Sequence, residues 1–248
     1  MTSSPSPTAI LQQDLGQICR QIIEQKRWTQ FRDLQIVVEP TLSSFGAHIT
    51  LSEWKIQVIV GEDFYDAVDT AILQEKLPFS RTAAIEKMMY AILNHEHGHF
   101  AHAPKTKEDL QQIITGIYRA IEGREYRMDS IQGLCFYIHN MYTDTILNTI
   151  NAHTDEDPQR FRDGLALIYI VMNNYTKRML GQKADKAHAL FLSSNQILCQ
   201  TNPDLYDKIQ QFFPRFLASF SRYRSKIMDI FTGDREITKD AIRGELAE

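Results

Sequence analysis

The sequence predicts an α+β protein that is mostly α, on three observations. Apolar residues recur every three or four positions along most of the chain. One short stretch, Gln35 to Val60, switches to β-branched residues in alternation. Asp-Pro and Asn-Pro pairs then open helical runs in the second half, as N-caps followed by Pro at the first helical position do.

In chain order, Met1 to Thr8 is rich in Ser and Pro and reads as a loose tail. Ala9 to Trp28 reads as a helix through Ile10, Leu11, Leu15, Ile18, Ile22 and Ile23. Gln35 to Glu39, Ala47 to Leu51 and Lys55 to Val60 read as three strands, expected to form a small antiparallel sheet with one wet face. After Gly61 the β signal stops. Helices are expected over Arg81 to His102, Lys107 to Glu122 and Asp129 to Ala152. Another runs from Asp157-Pro158 to Lys177-Arg178 and stops at Gly181. Asn202-Pro203-Asp204 opens a further helix, which Pro214 should kink. The expected division is a tail over 1–8, one domain over 9–156 and a helical C-terminal extension over 157–248 packed on it.

Composition narrows the function. The 248 residues are 43% hydrophobic, enough for a packed core and too many for a disordered chain. Net charge is −4, which argues against a generally basic nucleic-acid binder. The one basic run, Arg222 to Lys226, reads as a solvated helix face, with a DNA-linked regulator as the remote rival. Cys19, Cys135 and Cys199 are odd in number and form no CxxC pair, which fits free thiols in a reducing compartment. With no signal peptide and no apolar run long enough to span a bilayer, a cytoplasmic location is expected.

The chemistry is concentrated in His95-Glu96-His97-Gly98-His99. On a helix, residues four apart share a face and lie about 6 Å apart along the axis, so two imidazoles can share one tetrahedral zinc. Glu96, one residue round, can take a proton from a water at the metal. Met88, Ile92, His95 and His99 form one stripe, expected to face inward. Glu86, Tyr90, Asn94 and His97 form the opposite side, expected to be wetter, so His97 is read as a surface residue. Gly98 is a poor helix former and is expected to admit a close neighbour. His102 lies too far along the axis for the same ion and reads as a rim histidine.

A catalytic zinc needs a third protein ligand and an open position. Asp144 is the preferred candidate, as the only carboxylate in the apolar stretch Phe136 to Asn148. Glu125, among Gly123, Arg124 and Arg127, is the rival. Asn148, one turn beyond Asp144, is expected to orient Asp144 or a ligand histidine by a hydrogen bond. An oxyanion donor is open among His139, Tyr137, Tyr142 and His153.

At His95 to His99, Pro104 and Asn140 to Asn148, the chain resembles the HExxH metallopeptidases of bacteria and archaea encoded near MoxR-type ATPases and von Willebrand A domain proteins. The matching region, about Arg81 to Asn151, is under half of the chain. The resemblance implies a zincin-like core, with His95, His99 and Asp144 on zinc and Glu96 as the base. It also implies a partner of the MoxR-type ATPase or von Willebrand A kind. The expected function is therefore zinc-dependent hydrolysis of a peptide bond in a protein or peptide substrate. The rival class is a binding or regulatory module that keeps a metal without catalysis.

Overall fold

The computed structural model describes residues 6–31, 33–40, 46–50, 55–102, 107–121 and 131–180. The elements are α1 (Pro7–Gln25), β1 (Asp33–Glu39), β2 (Gly46–Thr50), β3 (Lys55–Gly61), α2 (Phe64–Glu75), α3 (Arg81–His102), α4 (Lys107–Ile121), α5 (Ile131–Thr154) and α6 (Pro158–Leu180). The architecture is mostly helical with one three-stranded sheet, as the sequence predicts. The expected helix at Asn202-Pro203 lies outside the described residues.

The caps explain several boundaries. Pro7 opens α1, and Ser6 Oγ accepts the Ala9 N–H at 3.2 Å. Pro158 opens α6, and Asp157 Oδ1 accepts the Arg160 N–H at 3.0 Å. The sequence reading gave α2 no boundaries of its own. Its end explains why: Lys76 takes the left-handed conformation at φ 50°, where glycine or asparagine would have been the visible stop signal.

The sheet is mixed, which corrects the antiparallel expectation. The order is β1-β3-β2, with β1 parallel to β3 and β2 antiparallel to it. That strands adjacent in sequence pair is a tendency, and burial overrides it here. In β3 the side chains of Ile56, Val58 and Val60 are fully buried, whereas no residue of β1 is. The strand that buries most takes the centre, and β1 and β2 become edges.

The core forms around α3. It packs against α6 and α5, and also touches α1, α2 and β2. Met88 to Leu93 are buried without a break, so this helix is enclosed on nearly all sides. The expected wet face holds only at its ends, where Glu86 is exposed and His97 half-buried, and fails at Tyr90 and Asn94. Tyr90 and Asn94 are 3% and 4% exposed. Their polar atoms are satisfied internally: Tyr90 Oη meets Asp155 Oδ1 at 2.5 Å, and Asn94 Nδ2 donates to the Tyr90 carbonyl at 2.8 Å. His97 is half-buried and stacks flat on Trp28, ring centres 4.5 Å apart.

Where α6 crosses α3 the approach is backbone to backbone. A Cβ at Gly164 would stand 2.0 Å from the Lys87 carbonyl oxygen, so only glycine fits. Among the described residues, no helix is long and apolar enough to cross a membrane.

Candidate metal site

The two helices that form the site run antiparallel, as their contacts show. Along one line Tyr90 meets Asp155, Asn94 meets Asn151, and Gly98 faces Leu147. Along the next line His95 meets Asn148 and His99 approaches Asp144. Gly98 permits this closeness: a Cβ there would sit 3.3 Å from Asn151 Nδ2 and 3.5 Å from Leu147 Cβ. Leu147 is buried and packs against Gly98, while the polar residues set the details of the pair.

Three ligand-type atoms converge at the front of α3. His95 Nε2 and His99 Nε2 are 3.1 Å apart. Asp144 Oδ1 lies 3.6 Å from the first and 3.4 Å from the second. A tetrahedral ion with bonds of 2.0–2.2 Å separates its ligands by about 3.3–3.6 Å. Two edges of the triangle fall in that range, and the third, between the histidine nitrogens, is about 0.2 Å short of it, so an ion would need the two rings to part slightly. Asp144 Oδ1 is also buried with no hydrogen-bond partner. Its sister oxygen is held by Asn140 Nδ2 at 3.1 Å. One oxygen is thus tied back, and the other faces the histidines without a donor, a costly arrangement for a buried carboxylate unless a cation completes it.

The electrostatics agree. Burial alone would lower the His95 pKa, but the Asp144 carboxylate, with Glu96 and Asn148 behind it, pushes it up to about 9. Burial alone would raise Asp144, yet His95 and His99 outweigh it and hold the carboxyl well below its usual range. Positive charge is what this pocket favours.

Asn148 sets the histidine chemistry. Its Oδ1 lies 2.8 Å from His95 Nδ1 and accepts the ring proton there. Its Nδ2 donates to Tyr169 Oη on α6 at 3.4 Å. Metal binding needs His95 Nε2 without its proton; with the remaining proton held on Nδ1 by Asn148, that atom would direct a lone pair toward His99 and Asp144. Glu96 is buried at 4% exposure, and one of its oxygens lies within 4.8 Å of a ring nitrogen of each histidine. The side chains of His95, His99 and Asp144 keep 17%, 23% and 16% exposure, although Asp144 Oδ1 itself is buried.

The structure thus brings together His95, Glu96, His99, Asp144 and Asn148. Glu125 lies outside the described residues, as do the side chains of Tyr137, Tyr142 and His102. His139 is half-buried, and burial lowers its pKa; Asp144 acts to raise it and His99 to lower it further. His153 stands in the last turn of α5. Asn140 shares the face of Asp144 and Asn148 by its four-residue spacing, though the sequence assigns it no role of its own. Asn151 and Tyr169 were not singled out from sequence. Tyr169 lies on another helix and had no signal there.

The chain matches no family model, no curated protein and no solved structure. The resemblance to the metallopeptidases encoded near MoxR-type ATPases therefore rests on the motif residues alone.

Proposed function

We propose that the chain is a zinc-dependent hydrolase, a metallopeptidase with a zincin-like core. The observation that carries this reading is the orphaned Asp144 Oδ1, set between two histidine nitrogens at 3.4 and 3.6 Å. His95, His99 and Asp144 would hold the metal. When bound there, zinc would acidify a water and polarise a substrate carbonyl.

The remaining work falls to the chain's own residues. Glu96 takes the proton of the attacking water and returns it to the leaving amine. Asn148 keeps the His95 proton on Nδ1, away from the metal. Among the described residues the oxyanion donor is open between His139 and His153. An extended peptide would add to the outer edge of β2, which packs against α3 and pairs with no further strand among the described residues. A partner of the MoxR-type ATPase or von Willebrand A kind and a cytoplasmic location remain part of this proposal, on the resemblance and the cysteine pattern respectively.

One observation favours the rival reading of a metal-containing binding module: Glu96 is 4% exposed, deep for a base that must meet water. A single experiment separates the two. Purified protein is assayed for zinc by elemental analysis and for cleavage of a mixed peptide library. Glu96→Gln should keep zinc and fold while cutting turnover by about 10²–10⁴-fold. Wild-type zinc binding with no cleavage of any peptide, or a Glu96→Gln variant as active as wild type, would overturn the catalytic reading.

A further inference from the structure

The site depends on register. If α5 slipped by one residue against α3, Asp144 would move about 1.5 Å and turn by about 100°. Its Oδ1 would then leave the histidine pair, although zinc tolerates ligand errors of only about 0.2 Å. Apolar contacts such as that of Leu147 with Gly98 are not directional and resist such a slip poorly. A buried amide bonded to a fixed carbonyl resists it well, because the slip would leave both groups unpaired.

One residue meets that description. Asn151, 9% exposed on α5, donates Nδ2–H to the carbonyl of Asn94 at 3.0 Å. Asn94 immediately precedes His95, and Asn151 stands one turn beyond Asn148. The amide fits there because Gly98 has no side chain: a Cβ would come within 3.3 Å of Asn151 Nδ2. The bond therefore ties the backbone of the histidine helix to the helix that carries Asp144 and Asn148. Asp155, by contrast, lies past the last residue of α5 and ties down only its end.

We infer that Asn151 is a positioning residue for the metal site. By bonding the Asn94 carbonyl in the gap left by Gly98, it fixes the register in which Asp144 comes between His95 and His99. This rests on the metal reading above, and the experiment keeps the two apart. Zinc affinity and metal-free melting temperature are measured for wild type, Asn151→Ala, Gly98→Ala and a control, Lys87→Met. The control breaks the Lys87–Asp163 pair, Nζ to Oδ2 at 2.9 Å, which joins α3 to α6 and does not involve α5.

Asn151→Ala should weaken zinc binding by about 10–100-fold, the range for residues that orient ligands. Lys87→Met should lower the melting temperature while leaving affinity within about threefold of wild type. Gly98→Ala, which crowds the same amide without removing it, should weaken zinc binding by less than Asn151→Ala and serves as the decisive variant if Asn151→Ala does not fold. Wild-type affinity in Asn151→Ala or, should that variant not fold, in Gly98→Ala overturns the inference and leaves the metal reading standing. Failure of the wild-type chain to bind zinc overturns both.

Discussion

The front and the back of α3 each carry a polar cluster gathered round one aspartate, and the two are finished differently. At the back, Lys26 Nζ meets Asp155 Oδ2 at 2.8 Å, Tyr90 meets the other oxygen, and Arg160 lies over the Tyr90 ring at 4.3 Å from its centre. That cluster closes on itself: the one buried carboxylate has a cation and a hydroxyl. At the front, the Asp144 carboxylate has Asn140 on one oxygen and, on the other, no hydrogen bond, only the two histidine nitrogens at 3.4 and 3.6 Å. A protein that satisfies its back cluster so fully has the means to satisfy the front one. Completeness at the back makes a structural brace, whereas the open oxygen at the front is what the metal proposal rests on.

The sharpest way to break this contrast is a pair of substitutions with opposite expected outcomes. Asp144→Ala should lower zinc affinity by more than about 100-fold, beyond the range for residues that only orient ligands. The metal-free melting temperature should change by only a few degrees, since the carboxylate lacks a full set of partners. If Asp144→Ala binds zinc like wild type, the front is not the metal site.

Lys26→Met should do the reverse. It removes the cation from a pair whose side chains are 7% and 4% exposed, leaving Asp155 charged and buried. Breaking such a pair costs about 3–5 kcal/mol. Urea unfolding should register that loss, while zinc affinity in the folded protein stays within about threefold. A large loss of zinc affinity with little loss of stability would show that the two faces are one unit.

What the sequence revealed of the two faces follows from the range of the interactions. The front was legible because its signal is local. His95 and His99 advertise a shared face by their spacing, and Asp144 stands out as the lone carboxylate in an apolar helix. Asn148 follows from Asp144 by one turn. The back was misread because its partners are distant. Tyr90 and Asn94 look like solvated residues by type; the Tyr90 hydroxyl is satisfied by Asp155, 65 positions away, and the Asn94 carbonyl by Asn151, 57 positions away, while the Asn94 amide bonds the Tyr90 carbonyl one turn back. The sheet failed for the same reason. Each strand shows locally, but the insertion of β3 between β1 and β2 is a non-local choice made by burial. Gly164, where α6 lies on the Lys87 carbonyl, is likewise an ordinary glycine until the crossing is seen.

The smallest expected effect tests where the boundary between the faces runs. His97 lies inside the HExxH motif, two residues from each candidate ligand, yet its ring points to the back and stacks on Trp28 with an interplanar angle of 9°. Burial pulls its pKa down, with Lys26 adding to the effect, so the ring is uncharged at neutral pH and stacks as a neutral aromatic. Such a contact is worth about 0.5–1.5 kcal/mol beyond its buried area. His97→Ala should therefore cost roughly 1–2 kcal/mol in unfolding free energy once the lost burial is included. It should also change Trp28 fluorescence, because the indole loses the ring lying flat against it. Zinc affinity should remain within about threefold of wild type, since the substitution leaves His95, His99 and the α5 contacts in place. If His97→Ala loses zinc as completely as Asp144→Ala, the back of the helix is part of the metal site, and the division between a closed brace and an open pocket does not hold.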